Sequence, residues 1–252
     1  MILSDSITDI PNFQRDRAIR VHMLARYWYC AAESKLRVVN GIRSAYPTKA
    51  MGGGLVIDDW LKQRPKSPFE RQLLDKIGPG PYRRTLRVGE QDYTIIAHTD
   101  DLGVNVDWET KERIVFIDEW KTAQRLKWND ETKEREYDPF SRAQAEFQTR
   151  GYSWVMRPII EALGSPYKLA DYHHVIIYRR RDGRQLLKFG VHAREDDWER
   201  EAREIIQVWL GERELIPPAS FKCKVCRPEF KSVCPLWARF SAEEREARTW
   251  KK

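Results

Sequence analysis

The sequence predicts an α/β fold in which strands alternate with amphipathic helices, and three stretches carry that expectation. Thr94 to Gly103 and Val115 to Thr122 are apolar-rich runs on either side of the polar turn Asp107–Glu112, the pattern of a β-hairpin with half-buried strands. Beyond them, Phe147, Gly151, Val155 and Ile159 fall along one stripe of a helix predicted over Arg142–Leu163, with Ser141 as its cap and a kink or break expected at Pro158. Val175–Tyr178 and Gln185–Phe189 then flank the turn Arg180–Gly183 and read as a second hairpin.

With 252 residues the chain suits one large domain, or a domain plus a lobe, and can bury a full core. At 41% hydrophobic and 33% charged residues the composition is that of a soluble globular protein rather than a disordered one. No apolar run approaches the roughly 20 residues that span a bilayer. The N-terminal Met-Ile-Leu-Ser-Asp has an acid where a signal peptide is basic. A cytoplasmic location with no membrane partner is therefore expected. The net charge of +7 and pI near 9.2 favour a polyanionic partner such as nucleic acid. Ten Trp and ten Tyr offer stacking surfaces for bases, although aromatics also fill cores.

In chain order, residues 1–16 form a polar lead-in. Ile19, Met23, Leu24, Tyr27, Trp28 and Ala31 recur at helical spacing, predicting one helix over Arg17–Val39 with Cys30 near it. His22 lies on that helix and reads as a half-buried or surface histidine rather than a ligand. Arg43–Ala50 is expected to be a loop. Gly52–Gly54 leads into a second helix and lacks the GxxxxGK[ST] pattern of a nucleotide-binding loop. Asp58 or Asp59 could face a cation or serve as a helix-dipole partner. Gln63–Tyr82, rich in Pro and Lys, ends in the break Gly78–Pro81, and Arg83–Val88 reads as a short strand. Lys127–Tyr137 lacks apolar periodicity and is expected as a surface loop. His173 and His174 are taken as loop residues ahead of the second hairpin. Trp198–Leu210 is an amphipathic helix with Ile205, Val208 and Trp209 inside, and Ser241–Glu244 is a capping box for a terminal helix.

The chemistry concentrates in two places. Alternation along a strand puts Glu119 and Lys121 on one face and Trp120 on the other. With an acid on the partner strand, that face could hold a divalent cation beside a phosphate, or be merely the solvated side of a hairpin. Gln148 and Tyr152, four apart, stack on one helical face. Separately, Cys223, Cys226 and Cys234 supply three thiolates at ligand spacing. Cys30, 193 residues before the first of them (223 minus 30), would complete a tetrahedral set. Iron–sulfur and zinc both accept four thiolates, so spacing does not separate them.

These motifs in this order resemble the RecB-like branch of the PD-(D/E)xK nucleases, specifically members with a four-cysteine iron–sulfur cluster. CRISPR-associated RecB-like exonucleases and AddB-type helicase–nuclease subunits belong to that branch. The acid is Asp100, the (D/E)xK is Glu119-Trp-Lys121 and the QxxxY is Gln148-Thr-Arg-Gly-Tyr152. The resemblance implies a restriction-endonuclease-like core, a mixed central sheet flanked by helices, over residues 51–212. An N-terminal segment at 1–50 and a C-terminal cluster lobe at 213–252 would enclose a [4Fe-4S] cluster on Cys30, Cys223, Cys226 and Cys234. It implies Mg²⁺ or Mn²⁺ held by Asp58, Asp100 and Glu119 with the Trp120 carbonyl, and catalytic roles for Lys121, Gln148 and Tyr152. The implied substrate is single-stranded DNA ends, and the implied partners belong to an integration or repair complex. One element departs: the family has a histidine where Gly54-Leu-Val-Ile is followed by Asp58. A weakened DNA-binding paralogue and a zinc-stabilised nucleic-acid-binding protein are the alternatives.

Overall fold

The computed structural model describes residues 17–41, 57, 59–129, 134–214, 223, 226, 228–234 and 236–237. Its architecture is mixed α/β, with sheets flanked by helices. β1 (Ala18–Arg20) leads into α1 (Val21–Ala25), a 3₁₀ turn (Arg26–Trp28) and α2 (Ala31–Val38). The single helix expected over Arg17–Val39 is thus broken. Arg17 sits at φ 47° and Ala18–Arg20 pair with a distant strand, a tertiary pairing that overrides local periodicity. Cys30, in extended backbone, is the N-cap of α2 and accepts from the Glu33 N–H at 3.5 Å.

The Pro- and Lys-rich stretch holds a helix, α3 (Pro68–Ile77). Ser67 and Glu70 form its capping box, Pro68 takes the first turn and Gly78, at φ 77°, stops it. β2 (Tyr82–Val88) and β3 (Gln91–Ala97) pair antiparallel, and β1 joins β3 in parallel, giving a three-stranded sheet in the order β1-β3-β2. The expected first hairpin is accordingly split. Thr94–Ala97 belong to β3, residues 98–100 form a break, and β4 (Asp101–Val106) pairs with β5 (Arg113–Ala123) around 107–112.

β5 is the central strand of the second sheet, ordered β10-β9-β5-β4 with β8 (Tyr167–Leu169) also on β5. β9 (Tyr172–Arg179) runs parallel to β5, and β10 (Gln185–His192) is antiparallel to β9. The second hairpin is longer than expected and takes in both His173 and His174 as strand residues. Between β5 and β8, Lys127–Tyr137 is not a plain loop: β6 (Lys127–Asn129) and β7 (Glu134–Glu136) form a ribbon.

The long helix is α4 (Pro139–Leu163). Asp138, not Ser141, is its N-cap, accepting from the Ser141 N–H at 3.0 Å; the proline at 139 fixes φ for the first turn and moves the start three residues upstream. The helix continues through Pro158 to Leu163. α5 (Glu195–Leu210) packs on α4, and α6 (Pro228–Lys231) lies in the cysteine-bearing segment. Gly52–Gly54 and Ser241–Glu244 fall outside the described residues. No described helix is long and apolar enough to cross a membrane.

The main core gathers Val21 and Leu24, the inner faces of β2 and β3, α4 and the buried Trp154, Trp198 and Trp209. Gly151 is where α4 admits its neighbours: a Cβ there would lie 2.7 Å from both Trp198 and Val21. Gly151→Ala should therefore destabilise the fold by about 1–3 kcal/mol through overpacking, outweighing the ~1 kcal/mol gain in helix propensity; urea unfolding measures the balance. His173 is fully buried, its Nδ1 accepting the Ile117 N–H at 3.3 Å, and burial, with Arg157 and His174 nearby, pushes its pKa from 6.5 down to about 3. Below pH 6.5 the unfolded chain takes up a proton that the folded chain refuses, so stability should fall as pH drops from there towards 3. His173→Asn keeps an acceptor without the titration. Unfolding curves between pH 7 and pH 4 should show a shallower loss in that variant.

Candidate active site

Alternation along β5 sends Glu119 and Lys121 towards α4. On the opposite face Trp120 packs with Ile57, Leu61 and Ile176. Glu119 is fully buried, and one of its oxygens, Oε1, accepts from the Lys121 ammonium. Lys121 Nζ also donates to Gln148 Oε1 at 3.0 Å, and Gln148 Nε2 donates to the Tyr152 hydroxyl at 2.6 Å. Four residues from a strand and a helix thus form one chain of hydrogen bonds. The lysine and the tyrosine end of the amide fix which way Gln148 points.

Asp100 lies in the break between β3 and β4, not on a strand, and its Oδ2 accepts the Trp120 N–H at 2.7 Å. That bond brings a second carboxylate beside Glu119. Asp101, the next residue, begins β4 and serves another purpose. It is buried, accepts from Arg64 Nε at 2.5 Å and from the Lys66 ammonium, and Arg64 also binds both oxygens of Glu70. Two cations neutralise Asp101, leaving Asp100 and Glu119 as the acids next to Lys121. Asp58 lies outside the described residues; its neighbours Ile57 and Leu61 rest on the Trp120 face.

Burial works to lower the Lys121 pKa, but the carboxylates of Glu119 and Asp100 overcome it and hold the ammonium above its usual value. Lys121 is therefore a permanent cation. Burial, reinforced by Glu119 and Asp100, raises the Tyr152 phenol well above its ordinary value, so it acts only as a neutral hydrogen-bonding group.

Glu119 Oε2 is buried and has no hydrogen-bond partner among the described residues. An anionic oxygen left so costs several kcal/mol, and a hard cation that takes oxygen ligands is one group that would satisfy it. The donor set fits Mg²⁺ or Mn²⁺, although among the described residues no three of His, Cys, Asp or Glu are gathered as a metal centre.

Two further residues stand close by without any local motif to announce them. His22, on α1, is brought in by the parallel β1–β3 pairing; burial, with Arg26, Arg20, Lys121 and His98 around it, pushes its pKa down to about 3, so it is neutral. Tyr137 comes near Lys121 and Glu119 from the segment before α4, and burial raises its phenol pKa. His174, by contrast, faces away from Lys121 and bonds Asp118 at 2.9 Å.

The four cysteines are free thiols that line one small cavity with Leu36, Phe230 and Trp237. Burial pushes the Cys30 thiol up to about 11, against the pull of the Glu33 N–H. As the sulfurs stand they are not drawn together in ligand geometry.

No family model and no curated protein matches the chain. Among solved structures it is similar to SSO0001, at 17% identity and a TM-score of 0.47 over 87% of each chain. It is also similar to an inferred exonuclease from Eubacterium rectale, at 13% identity and a TM-score of 0.45 over 88% of this chain and 90% of that one. Neither likeness is close enough to bear on what this chain does.

Proposed function

We propose that this chain is a metal-dependent deoxyribonuclease of the RecB-like PD-(D/E)xK type, an exonuclease on single-stranded ends with a structural [4Fe-4S] cluster. The observation that carries this reading is the buried Glu119 Oε2, without a partner among the described residues, beside the Glu119–Lys121–Gln148–Tyr152 chain. Asp100 and Glu119, with Asp58 and the Trp120 carbonyl, would hold one or two Mg²⁺ or Mn²⁺ ions. When bound, such a cation supplies Lewis-acid stabilisation of the phosphate and a more acidic water. Lys121 would orient the attacking water and offset the negative charge that builds on the non-bridging phosphate oxygens. Gln148 fixes the ammonium of Lys121, and the Tyr152 hydroxyl fixes Gln148. The core would occupy 51–212, between the segments 1–50 and 213–252. A cytoplasmic role beside partners of an integration or repair complex rests on the family resemblance alone.

The test is cleavage of end-labelled single-stranded DNA in Mn²⁺ or EDTA, with each end blocked in turn. Glu119→Gln and Lys121→Ala should each lower the rate at least about a thousandfold, the scale of a few kcal/mol of lost stabilisation, while circular dichroism stays that of the parent. Undiminished cleavage by either variant sinks the assignment.

Support for the cluster is the cavity that all four thiols line, with Cys30 brought to it as the N-cap of α2. Protein purified without oxygen should be brown and carry about four irons, and Cys226→Ser should lose both iron and colour. Colourless protein with stoichiometric zinc overturns this part.

A further inference from the structure

The sheet β1-β3-β2 has two faces of different kind. Tyr82, Leu86, Val88, Tyr93, Ile95 and Ala97 form the inner face, and Arg84 reaches from it to the Trp154 carbonyl at 2.6 Å. On the outer face Arg20 pairs across to Ile96, and Ile96 across to Arg83, so two arginines flank one residue of β3. Two residues further along is exposed His98, and two beyond that is Asp100 of the site. Lys62, exposed at the end of the helical residues 59–62, lies near enough to His98 to act on it. Arg20, Lys62 and Arg83 all lie close enough to His98 to act on it electrostatically. The neighbours of His22 include Arg20, Arg26, Lys121 and His98. Arg20, Lys62 and Arg83 thus bring positive charge together at His98, at the end of the sheet that leads to Asp100.

We infer that Arg20, Lys62, Arg83 and His98 form a track for the sugar–phosphate backbone of a single nucleic-acid strand leading to Asp100 and Glu119. The inference rests on the nuclease reading and adds to it where the substrate lies. Phosphates are the occupant because the face presents cations and an imidazole. The two arginines stand on strands two spacings apart, roughly 10 Å, a width that suits one extended strand. Each phosphate neutralised there releases condensed counterions, so the contacts read out as a salt dependence.

The measurement is fluorescence anisotropy of a fluorescein-labelled oligothymidylate on the full chain in EDTA, across a range of salt. Lys62→Ala/Arg83→Ala should weaken binding about tenfold and reduce the slope of log affinity against log salt by about 1.4, two contacts at about 0.7 each. Lys62→Arg/Arg83→Lys, which keeps both charges, should retain the wild-type slope. Both side chains are exposed, and melting curves check that all forms fold alike. Wild-type affinity and slope in the alanine variant overturn the track, as does an equal loss in the charge-preserving variant. Strand binding that depends on these residues, in a protein that never cleaves, leaves the track standing and overturns the nuclease reading. Cleavage with unaltered binding in the alanine variant does the reverse.

Discussion

Glu119 carries a carboxylate with no exposure to solvent, and such a group persists only where nearby charge and hydrogen bonds replace its hydration. Lys121 provides that for one oxygen and leaves the other without a partner among the described residues. The lysine is itself fixed by Gln148, and Gln148 by Tyr152, so the register of α4 against β5 is set by a chain of polar contacts. A one-residue slip of β5 would turn Glu119 to the Trp120 face and break every link. Asp100 adds a tie in a second direction: its bond to the Trp120 N–H pins the break between β3 and β4, where the two sheets meet, to the same strand.

α4 then transmits this arrangement to the rest of the molecule. Arg84 of β2 bonds the Trp154 carbonyl and lies over its ring at 4.0 Å, while the Trp154 indole donates to Glu199 of α5 at 2.7 Å. Arg157 and Arg150 reach Glu195 and Glu201 on the same helix. Hydrogen bonds to charged groups contribute about 1.5–3 kcal/mol each when buried, and these are at least half-buried, so they add to the apolar stack of Phe147, Trp154 and Trp198. Gly151 is the condition for that stack, since any side chain there would occupy the place of the Trp198 ring.

Local patterns revealed what depends on local geometry. The alternation of β5 separates Glu119 and Lys121 from Trp120, and the four-residue spacing places Gln148 and Tyr152 on one face of α4. Non-local pairing was illegible. The apolar spacing of Arg17–Val39 is helical, yet parallel pairing with β3 makes Ala18–Arg20 a strand and carries His22 to the site. Asp100 and Asp101 are chemically identical neighbours, and only Arg64 and Lys66, from a loop more than thirty residues earlier, neutralise one of them. By contrast, α3 was readable in principle: Ser67-Pro-Phe-Glu70 is a capping box with proline at the first helical position, hidden by the surrounding prolines and lysines.

The cysteine cavity is joined to this same framework by a short route. Cys30 caps α2 at the end of the 3₁₀ turn Arg26–Trp28, and Trp28 rests on Phe147 with ring centroids 6.2 Å apart. Phe147 immediately precedes Gln148. Burial keeps the Cys30 thiol protonated, and α2 meets the C-terminal segment at this cavity through Leu36 and through Arg37, which lies over the Phe230 ring at 4.5 Å. A group that bound all four sulfurs as thiolates would fix α2 covalently to the C-terminal segment. It would thereby fix the surface on which Trp28 meets α4. The use of such a group would be mechanical: it would steady the helix that aims Gln148 at Lys121.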